Sequence, residues 1–215
     1  MNTYARKVCN KIFQEATQNI ASKGSFTFVL SGGRTPKSIF KLLLSEYKEK
    51  IEWEKVHFFW LDERCVSPSD RESNYKLAFD YLLSSLEKIG SVHRIEGELH
   101  PELAREKYEN DLLRFFGTRD NIIFDFILLG MGEDGHVASI FPKSKEMFSP
   151  QYIVLNTEEK YNGFYRITLG LAIINQSKFK LLLANNVTKI RILESNDLNY
   201  PINLVQNKSI VIQDN

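Results

Sequence analysis

An acid and an imidazole stand two positions apart in residues 130–136, which read Gly-Met-Gly-Glu-Asp-Gly-His. The apolar residues 124–129 before them predict a buried strand, and the glycines allow the backbone to turn tightly beyond it. Imidazole titrates near neutral pH, and a neighbouring carboxylate can fix its orientation. Asp134 and His136 therefore predict a general acid–base pair, in which His136 is the best candidate base of the chain.

The same glycines match the Gly-x-Gly-x-x-Gly pattern of dinucleotide-binding loops. Such a loop holds a pyrophosphate against backbone N–H groups at the start of a helix. Glu133 and Asp134 would repel that pyrophosphate, and Pro142 follows too soon for a long helix to begin at the glycines. We therefore expect no nucleotide cofactor here.

A second loop, residues 31–36, reads Ser-Gly-Gly-Arg-Thr-Pro after an apolar segment. Glycine N–H groups, hydroxyls and a helix N-terminus favour an anion. Because the loop lacks the Gly-Lys-Ser/Thr ending of a nucleoside triphosphate site, a monophosphate is the better candidate. Helix capping by a hydroxyl is the structural alternative. The candidate phosphate ligands of this loop are Ser31, Gly32, Gly33, Arg34 and Thr35.

A third loop is predicted at residues 62–64, where Asp62 and Arg64 follow another apolar segment. A salt bridge is the structural alternative for this acid and guanidinium. Arg166 and Lys189 complete the candidate set, and Lys189, at a strand-to-helix junction, is the more plausible anion ligand. The other histidines have no identifiable partner and are expected to be ordinary surface or strand-end residues: His57, His93 and His100.

The elements that must position these groups alternate along the chain. Apolar residues at three- and four-residue steps predict a helix from about residue 5 to Gly24. Further helices are predicted over residues 36–49, 74–86 and 187–194, and from residue 101 with a buried side that reaches residue 116. Strands are predicted over residues 26–30, 56–61, 122–129, 152–155, 165–169, 179–184 and 209–212.

Continuously apolar strands that alternate with helices predict an α/β fold: a mostly parallel, doubly wound, modified Rossmann-like sheet with helices on both faces. No linker or repeat interrupts the pattern, so we expect a single domain over residues 1–215. Parallel strands share one orientation, and the loops after Leu30, Leu61 and Leu129 should therefore lie along one rim of the sheet.

Composition excludes several classes of function. The formal net charge of +1 gives no electrostatic reason for a nucleic acid or an anionic membrane as partner. The sequence contains no secretory signal and no apolar run long enough to span a bilayer, so the cytoplasm is the expected compartment. Cys9 is expected in the core and Cys65 is not expected to be reactive. No Cys/His spacing resembles a zinc site, and we expect no metal.

Together these segments resemble the 6-phosphogluconolactonase family, within the wider glucosamine-6-phosphate isomerase/deaminase superfamily. The matching segments are residues 31–36, 60–66 with 73–75, 128–142, 166–169 and the region of Lys189, in the family's order. The resemblance implies hydrolysis of 6-phospho-D-glucono-1,5-lactone to 6-phospho-D-gluconate in the oxidative pentose phosphate pathway, without an obligatory cofactor. The implied partner is this small sugar phosphate lactone, and a monomer or small homo-oligomer is expected.

The resemblance also assigns roles. The loop 31–36, Arg166 and Lys189 would hold the phosphate, with Asp62 in the same binding set. Arg64 would contact the substrate near the lactone or the phosphate. His136, oriented by Asp134, would activate water to attack the lactone carbonyl. Either Arg64 or a backbone amide of residues 132–135 would support the oxyanion, and the sequence leaves that choice open.

Two rival functions are weighed against this one. The deaminase branch carries a glutamate before the proline of the third motif, where this chain has Phe141, so the lactonase is favoured. A non-catalytic sugar-phosphate sensor is disfavoured because both Asp134 and His136 are present and no DNA-binding segment is recognised. Two departures from the family pattern are Val137, in place of a threonine, and residues 163–165, which replace a proline-containing approach to Arg166.

Overall fold

The computed structural model describes residues 3–149, 151–184 and 186–212, without the side chains of Thr3 and Arg34. In this part of the chain the strands are β1 (Phe26–Leu30), β2 (Val56–Trp60), β3 (Asp62–Arg64), β4 (Ser91–His93), β5 (Phe126–Leu129), β6 (Val154–Asn156), β7 (Arg166–Leu169), β8 (Phe179–Ala184) and β9 (Lys208–Ile212). The α-helices are α1 (Thr3–Lys23), α2 (Arg34–Tyr47), α3 (Asn74–Tyr81), α4 (Pro101–Phe116), α5 (Leu171–Gln176) and α6 (Val187–Ser195). Short 3₁₀ helices lie at Trp53–Lys55, Leu83–Ser85, Arg119–Asn121, Lys145–Phe148 and Pro201–Leu204.

The main sheet has six strands in the order β4-β2-β1-β5-β8-β9, and every neighbouring pair is parallel. From β1 the chain first proceeds outward through β2 and β4, and then returns to the other side of β1 with β5. This is the doubly wound order of a Rossmann-like sheet, whose ligands bind where the strand order reverses. The predicted fold class is confirmed, and the reversal lies between β1 and β5.

The three strand ends singled out in the sequence do share one rim. β2, β1 and β5 are neighbours, so the residues that follow them meet at the carboxyl edge of the sheet. Leu61 continues the ladder by donating its N–H to the Leu30 carbonyl at 2.9 Å. β1 is buried along its whole length, as expected for a strand covered on both faces. The predicted convergence of the loops is therefore confirmed.

A second, antiparallel sheet in the order β3-β7-β6 was not predicted. Residues 62–64 were expected to form a loop, but they are strand β3, which pairs with β7. Three polar residues show no apolar alternation, and their partner lies about a hundred positions along the chain, so the pairing left no local signal. The strands predicted near residues 152–155 and 165–169 exist but belong to this second sheet. Leu169 joins the two sheets by donating its N–H to the Leu61 carbonyl.

Helix predictions were correct in position and less so in extent. α1, α2, α4 and α6 lie where the spacing placed them, whereas α3 ends at Tyr81 and is followed by a 3₁₀ turn. The predicted strand 122–129 begins only at Phe126, and both α5 and β4 were missed. Within the described ranges, no helix is long and apolar enough to cross a membrane.

Candidate active site

A small cleft of about 170 Å³ opens at the reversal point between β1 and β5. Three strand ends and the start of α3 contribute to its wall. The cleft contains six of the residues that the sequence put forward: Ser31, Gly32, Gly33, Asp62, Arg64 and His136. The other residues around it are Leu61, Asn74, Gly130, Met131 and Ala138.

The structure brings Asp134 and His136 into contact. Nδ1 of His136 lies 2.6 Å from Oδ1 of Asp134, and the same oxygen accepts the backbone N–H of His136 at 3.2 Å. Burial alone would raise the pKa of Asp134, but the hydrogen bond and charge of His136 outweigh it and lower that pKa. Asp134 is therefore an anion at neutral pH and holds His136 with Nδ1 engaged. This leaves Nε2 as the nitrogen that can exchange a proton with a ligand.

The backbone around this pair explains one of the glycines. A β-carbon at Gly132 would overlap both the ring of His136 and the carboxylate of Asp134. The N–H of Gly132 donates to the carbonyl of His136 at 2.9 Å, which closes the turn under the imidazole. Only glycine at this position lets the acid and the base fold back over the strand end.

The loop after β1 has the features of an anion site. Gly33 is the N-cap of α2 and, as a glycine, offers no side chain to cap this helix end. Among the described residues the buried Oγ of Ser31 has no hydrogen-bond partner, so this hydroxyl does not cap the helix. A β-carbon at Gly32 would overlap the amide of Asn74, so this backbone approaches the neighbouring wall closely. An unpaired hydroxyl beside a helix N-terminus favours an anionic ligand.

Two arginines lie side by side on the second sheet. Arg64 and Arg166 are register partners in the β3–β7 pair, and the buried Nε of each has no hydrogen-bond partner in the part of the chain that the structure describes. Arg64 donates from Nη1 to the Glu72 carbonyl, and Arg166 donates from Nη2 to the Tyr161 carbonyl at 3.3 Å. Burial lowers the pKa of Arg166, and Asp62, with 4.0 Å between Nη1 and Oδ2, acts against that shift. Donor capacity thus remains for an anion between these cations.

Glu63 forms a buried hydrogen-bond network that the sequence did not predict. Its buried carboxylate accepts hydrogen bonds from the N–H groups of Arg64, Asn74 and Tyr75 at 2.8 Å each. The hydroxyl of Ser73 adds a fourth bond at 2.9 Å. Burial raises the pKa of Glu63, and the donors act in the opposite direction. The carboxylate therefore fastens the start of α3 to β3. The one local indication in the sequence was Ser73, a residue type typical of helix N-caps, which caps α3 by accepting the N–H of residue 76.

Asn74 is brought into the cleft by that attachment. Its Nδ2 donates to the backbone carbonyl of Asp62 at 2.8 Å and to Oδ1 of the same residue at 3.2 Å. Oδ2 of Asp62 accepts the hydroxyl of Ser139 at 2.7 Å. Asp62, predicted as a substrate ligand, is thus largely engaged by protein donors. Its position beside Arg166 makes it the counter-charge of that arginine.

Not every predicted residue reaches the cleft. Thr35 and Lys189 lie in the first turns of α2 and α6, and neither they nor Arg166 belong to the cleft wall in the described structure. α6 nevertheless starts beside the turn of residues 130–136, because Nδ2 of Asn186 donates to Oε1 of Glu133 at 3.1 Å. The backbone of Arg34 opens α2, while its side chain lies outside the description.

The other histidines lie where the sequence placed them, since His57 and His93 belong to the strands β2 and β4 and His100 is exposed. The structure also gives each of them a partner that the sequence did not identify. His93 Nδ1 lies 2.8 Å from Oδ2 of Asp111, and Ser91 Oγ lies 2.7 Å from both His93 Nε2 and His57 Nδ1. His100 Nδ1 lies 2.5 Å from Oε2 of Glu102. Asp111 belongs to α4, and no local pattern links it to β4.

Both cysteines are free thiols of low reactivity. Cys9 is buried in the core, and burial raises its pKa to about 12. Burial likewise raises the pKa of Cys65 to about 11, above that of an activated thiol. The described residues contain no cluster of histidine, cysteine and carboxylate side chains that could hold a metal ion. A larger cavity, of about 970 Å³, is lined by residues around Cys65 and His100 and includes none of the predicted site residues.

Comparison with known proteins extends the similarity over nearly the whole chain. A family model described as glucosamine-6-phosphate isomerases/6-phosphogluconolactonase matches residues 1–212. The 6-phosphogluconolactonase of Haemophilus influenzae is 36% identical over 220 aligned residues, which cover 97% of this chain and 92% of that protein. The crystal structure of 6-phosphogluconolactonase from Thermotoga maritima matches with a TM-score of 0.84 at 31% identity, covering 97% of this chain and 94% of that one.

Proposed function

The chain belongs to the family of glucosamine-6-phosphate isomerases and 6-phosphogluconolactonases, and from this membership we propose that it hydrolyses 6-phospho-D-glucono-1,5-lactone to 6-phospho-D-gluconate. The observation that carries the proposal is the His136–Asp134 pair in a cleft that also holds unpaired donors. Lactone opening needs a base for water, a donor for the oxyanion and a proton for the leaving oxygen. The cleft offers a group for each requirement.

In the proposed reaction, Nε2 of His136 removes a proton from water as the water oxygen attacks the lactone carbonyl carbon. The carbonyl becomes an oxyanion, and when it collapses the bond from that carbon to the ring oxygen breaks. His136 then returns its proton to the ring oxygen, which becomes a hydroxyl. Asp134 stabilises the imidazolium formed in between and keeps the ring oriented. No cofactor enters this scheme.

Arg64 is our candidate for oxyanion support. Arg64 lines the cleft that contains His136, and its Nε has no partner among the residues that the structure describes. A fixed cation close to the developing charge stabilises the transition state more than the uncharged lactone. The backbone amides of residues 132–135 are the weaker candidate, since the N–H of Gly132 is already bonded to His136 and that of Gly135 to Gly132.

The phosphate is assigned to the cationic side of the site. Ser31 Oγ, the N–H groups of Gly32 and Gly33, and Arg34 and Thr35 at the start of α2 form one part of the proposed cradle. Arg166, with its unpaired Nε, and Lys189, at the start of α6, are proposed as its charged partners. We assign Asp62 to balancing the charge of Arg166 rather than to binding substrate directly.

The deaminase is less well supported, because Phe141 packs its ring 4.6 Å from that of His136. An aromatic ring there supplies no acid for opening an amino sugar. We further propose that the chain acts as one domain, in the cytoplasm, as a monomer or small homo-oligomer. Light scattering coupled to gel filtration would measure the last of these properties.

The direct test mixes purified protein with freshly prepared 6-phosphogluconolactone and follows acid release at constant pH against the spontaneous rate. We expect strong acceleration over that background. A rate equal to the background would reject the proposal. Ammonia release from glucosamine 6-phosphate, measured in parallel, would support the deaminase instead.

A further inference from the structure

A tight hairpin at residues 161–164 lies next to the site. The N–H of Tyr161 donates to the carbonyl of Phe164 at 2.9 Å, and the reverse bond is 3.3 Å long. Between them, Asn162 and Gly163 have φ angles of 53° and 86°. Two central residues at positive φ form the type I′ turn, for which Asn-Gly is the favoured sequence. The local sequence thus fixes the backbone that carries Tyr161.

The ring of Tyr161 extends a row of aromatic contacts to the base. It stacks on Phe141 with centroids 3.6 Å apart and planes within 5°. Phe141 is only 5% exposed, and its ring lies 4.6 Å from the imidazole of His136. Phe141 is therefore held between Tyr161 and His136. A shift of the tyrosine ring would free the phenylalanine and, through it, the imidazole.

The same two residues contact Arg166. The carbonyl of Tyr161 accepts a hydrogen bond from Nη2 of the arginine at 3.3 Å, and the guanidinium carbon lies 5.7 Å from the centre of the Phe141 ring. A cation at that distance is attracted by an aromatic face. Arg166 belongs to β7 and His136 to the turn after β5, so they come from different sheets. The hairpin and Phe141 connect the two.

We propose that Tyr161, acting through Phe141, is a positioning residue that sets the imidazole of His136 at a fixed place relative to the guanidinium of Arg166. The inference rests on the proposed function, because only a reaction that uses His136 as a base responds to the placement of its ring. The phenol is not required for this role. The role belongs to the aromatic face and to the rigid turn beneath it.

The test compares Tyr161→Ala with Tyr161→Phe. Alanine removes the ring but keeps the carbonyl that binds Arg166, so the base loses support while the cation keeps it. We expect kcat for 6-phosphogluconolactone to fall about tenfold or more in the alanine variant, since small misplacements of a reacting group can cost up to about 100-fold. Phenylalanine retains the stack and should restore kcat to within about twofold of the wild type, a difference too small to reflect a displaced base.

Calorimetry with 6-phosphogluconate distinguishes misplacement from partial unfolding. The alanine variant should bind the product with unchanged stoichiometry and a Kd within about threefold, because every proposed phosphate ligand remains. A lower stoichiometry would mean loss of folded sites and would overturn the positioning role. Tyr165→Ala is the matched control: this ring lies one residue beyond the hairpin, is 37% exposed and faces Lys160, so kcat should not change.

The positioning role of Tyr161 and the proposed lactone hydrolysis fail in different ways. If the wild type does not accelerate lactone hydrolysis, the proposed function fails. If the wild type is active and Tyr161→Ala keeps its full kcat, the positioning role alone is wrong. A Tyr161→Phe variant as slow as the alanine variant would also overturn it, because the phenol and not the ring would then carry the effect.

Discussion

Two histidine–carboxylate pairs in this protein have nearly the same hydrogen bond and very different surroundings. Nδ1 lies 2.6 Å from the carboxylate in His136–Asp134 and 2.8 Å in His93–Asp111. The second ring stacks on Phe59 at 4.4 Å, and its Nε2 is already bonded to Ser91. Among the described residues, His136 Nε2 has no protein partner, and its ring belongs to the cleft wall. The carboxylate orients the ring in both pairs, and both rings line a cavity. The unoccupied second nitrogen is therefore the feature that, in our proposal, lets His136 act as a base.

The largest expected effect tests that difference directly. His136→Ala should reduce kcat for 6-phosphogluconolactone by roughly 10²–10⁴, the usual contribution of a positioned acid–base group. His93→Ala should leave kcat nearly unchanged, because that ring is occupied on both nitrogens. The measurement is acid release at constant pH for both variants. Near-normal turnover of His136→Ala would remove the residue from the mechanism, and a comparable loss in His93→Ala would abolish the distinction.

Substitution of Asp134 and of Asp111 tests the same difference between the two pairs through their carboxylates. Asp134→Asn keeps the size of the side chain but removes the charge that orients and stabilises the imidazole. We expect a fall in kcat of at least about tenfold, since this substitution in a triad can cost up to about 10⁴ by favouring the wrong tautomer. Asp111→Asn is the matched control and should retain wild-type kcat. Equal effects of the two substitutions would contradict our comparison.

The contrast also shows what a sequence can reveal. Asp134 and His136 are two positions apart at the end of an apolar strand, so one segment contains both the pair and its placement. His93 and Asp111 lie on a strand and on a helix, and only the packing of α4 brings them together. The same limit applies to Glu63, whose role depends on contacts with residues 73–75 that local patterns do not encode.

The fold shows the same contrast between features with a local sequence signal and features that depend on distant contacts. The parallel strands β1, β2, β5, β8 and β9 are rich in apolar residues and were predicted, along with the rim where the loops after β1, β2 and β5 meet. The parallel edge strand β4, which reads Ser-Val-His, was missed. The second sheet was missed because β3 is short and polar, and its partner β7 lies far along the chain. That sheet places Arg64 beside Arg166, so the pairing of the two cations could not have been read from the sequence. The phosphate assignment therefore depends more on the structure than the base assignment does.

A binding prediction addresses the cationic side. Lys189→Ala should weaken binding of 6-phosphogluconate by about 1.5–3 kcal/mol, which corresponds to about 10- to 150-fold in Kd, if its charge meets the phosphate. Calorimetry gives the Kd, and hydrolysis of unphosphorylated gluconolactone provides the control, since that substrate has no phosphate to lose. An unchanged Kd would exclude Lys189 from the phosphate site.

A stability prediction concerns the carboxylate beneath the cleft. Glu63→Gln should lower the free energy of unfolding by about 1–3 kcal/mol, because an amide nitrogen would replace one oxygen and leave buried N–H donors unpaired. Urea unfolding measures the loss. The exposed Glu98→Gln substitution, which weakens one pair with Arg94, should cost less than about 1 kcal/mol. Equal losses would show that the hydrogen bonds of Glu63 do not stabilise the start of α3.

The smallest expected effect concerns His57, which belongs to the second pair's network. Burial lowers the pKa of its imidazole, His93 and Lys23 add to the shift, and Asp125 opposes it. The imidazole of His57 therefore takes up a proton near pH 6.5 in the unfolded chain but only at lower pH in the native state. The free energy of unfolding thus decreases as the pH falls below about 6.5.

His57→Gln removes this titrating group, and the glutamine can still bond to Ser91. Urea unfolding at pH 7 and pH 5 should show a smaller pH-dependent loss in the variant than in the wild type, with kcat at pH 7 unchanged. An equal loss in both proteins would mean that this network does not govern acid stability, and a change in kcat would mean that the two histidine regions are coupled.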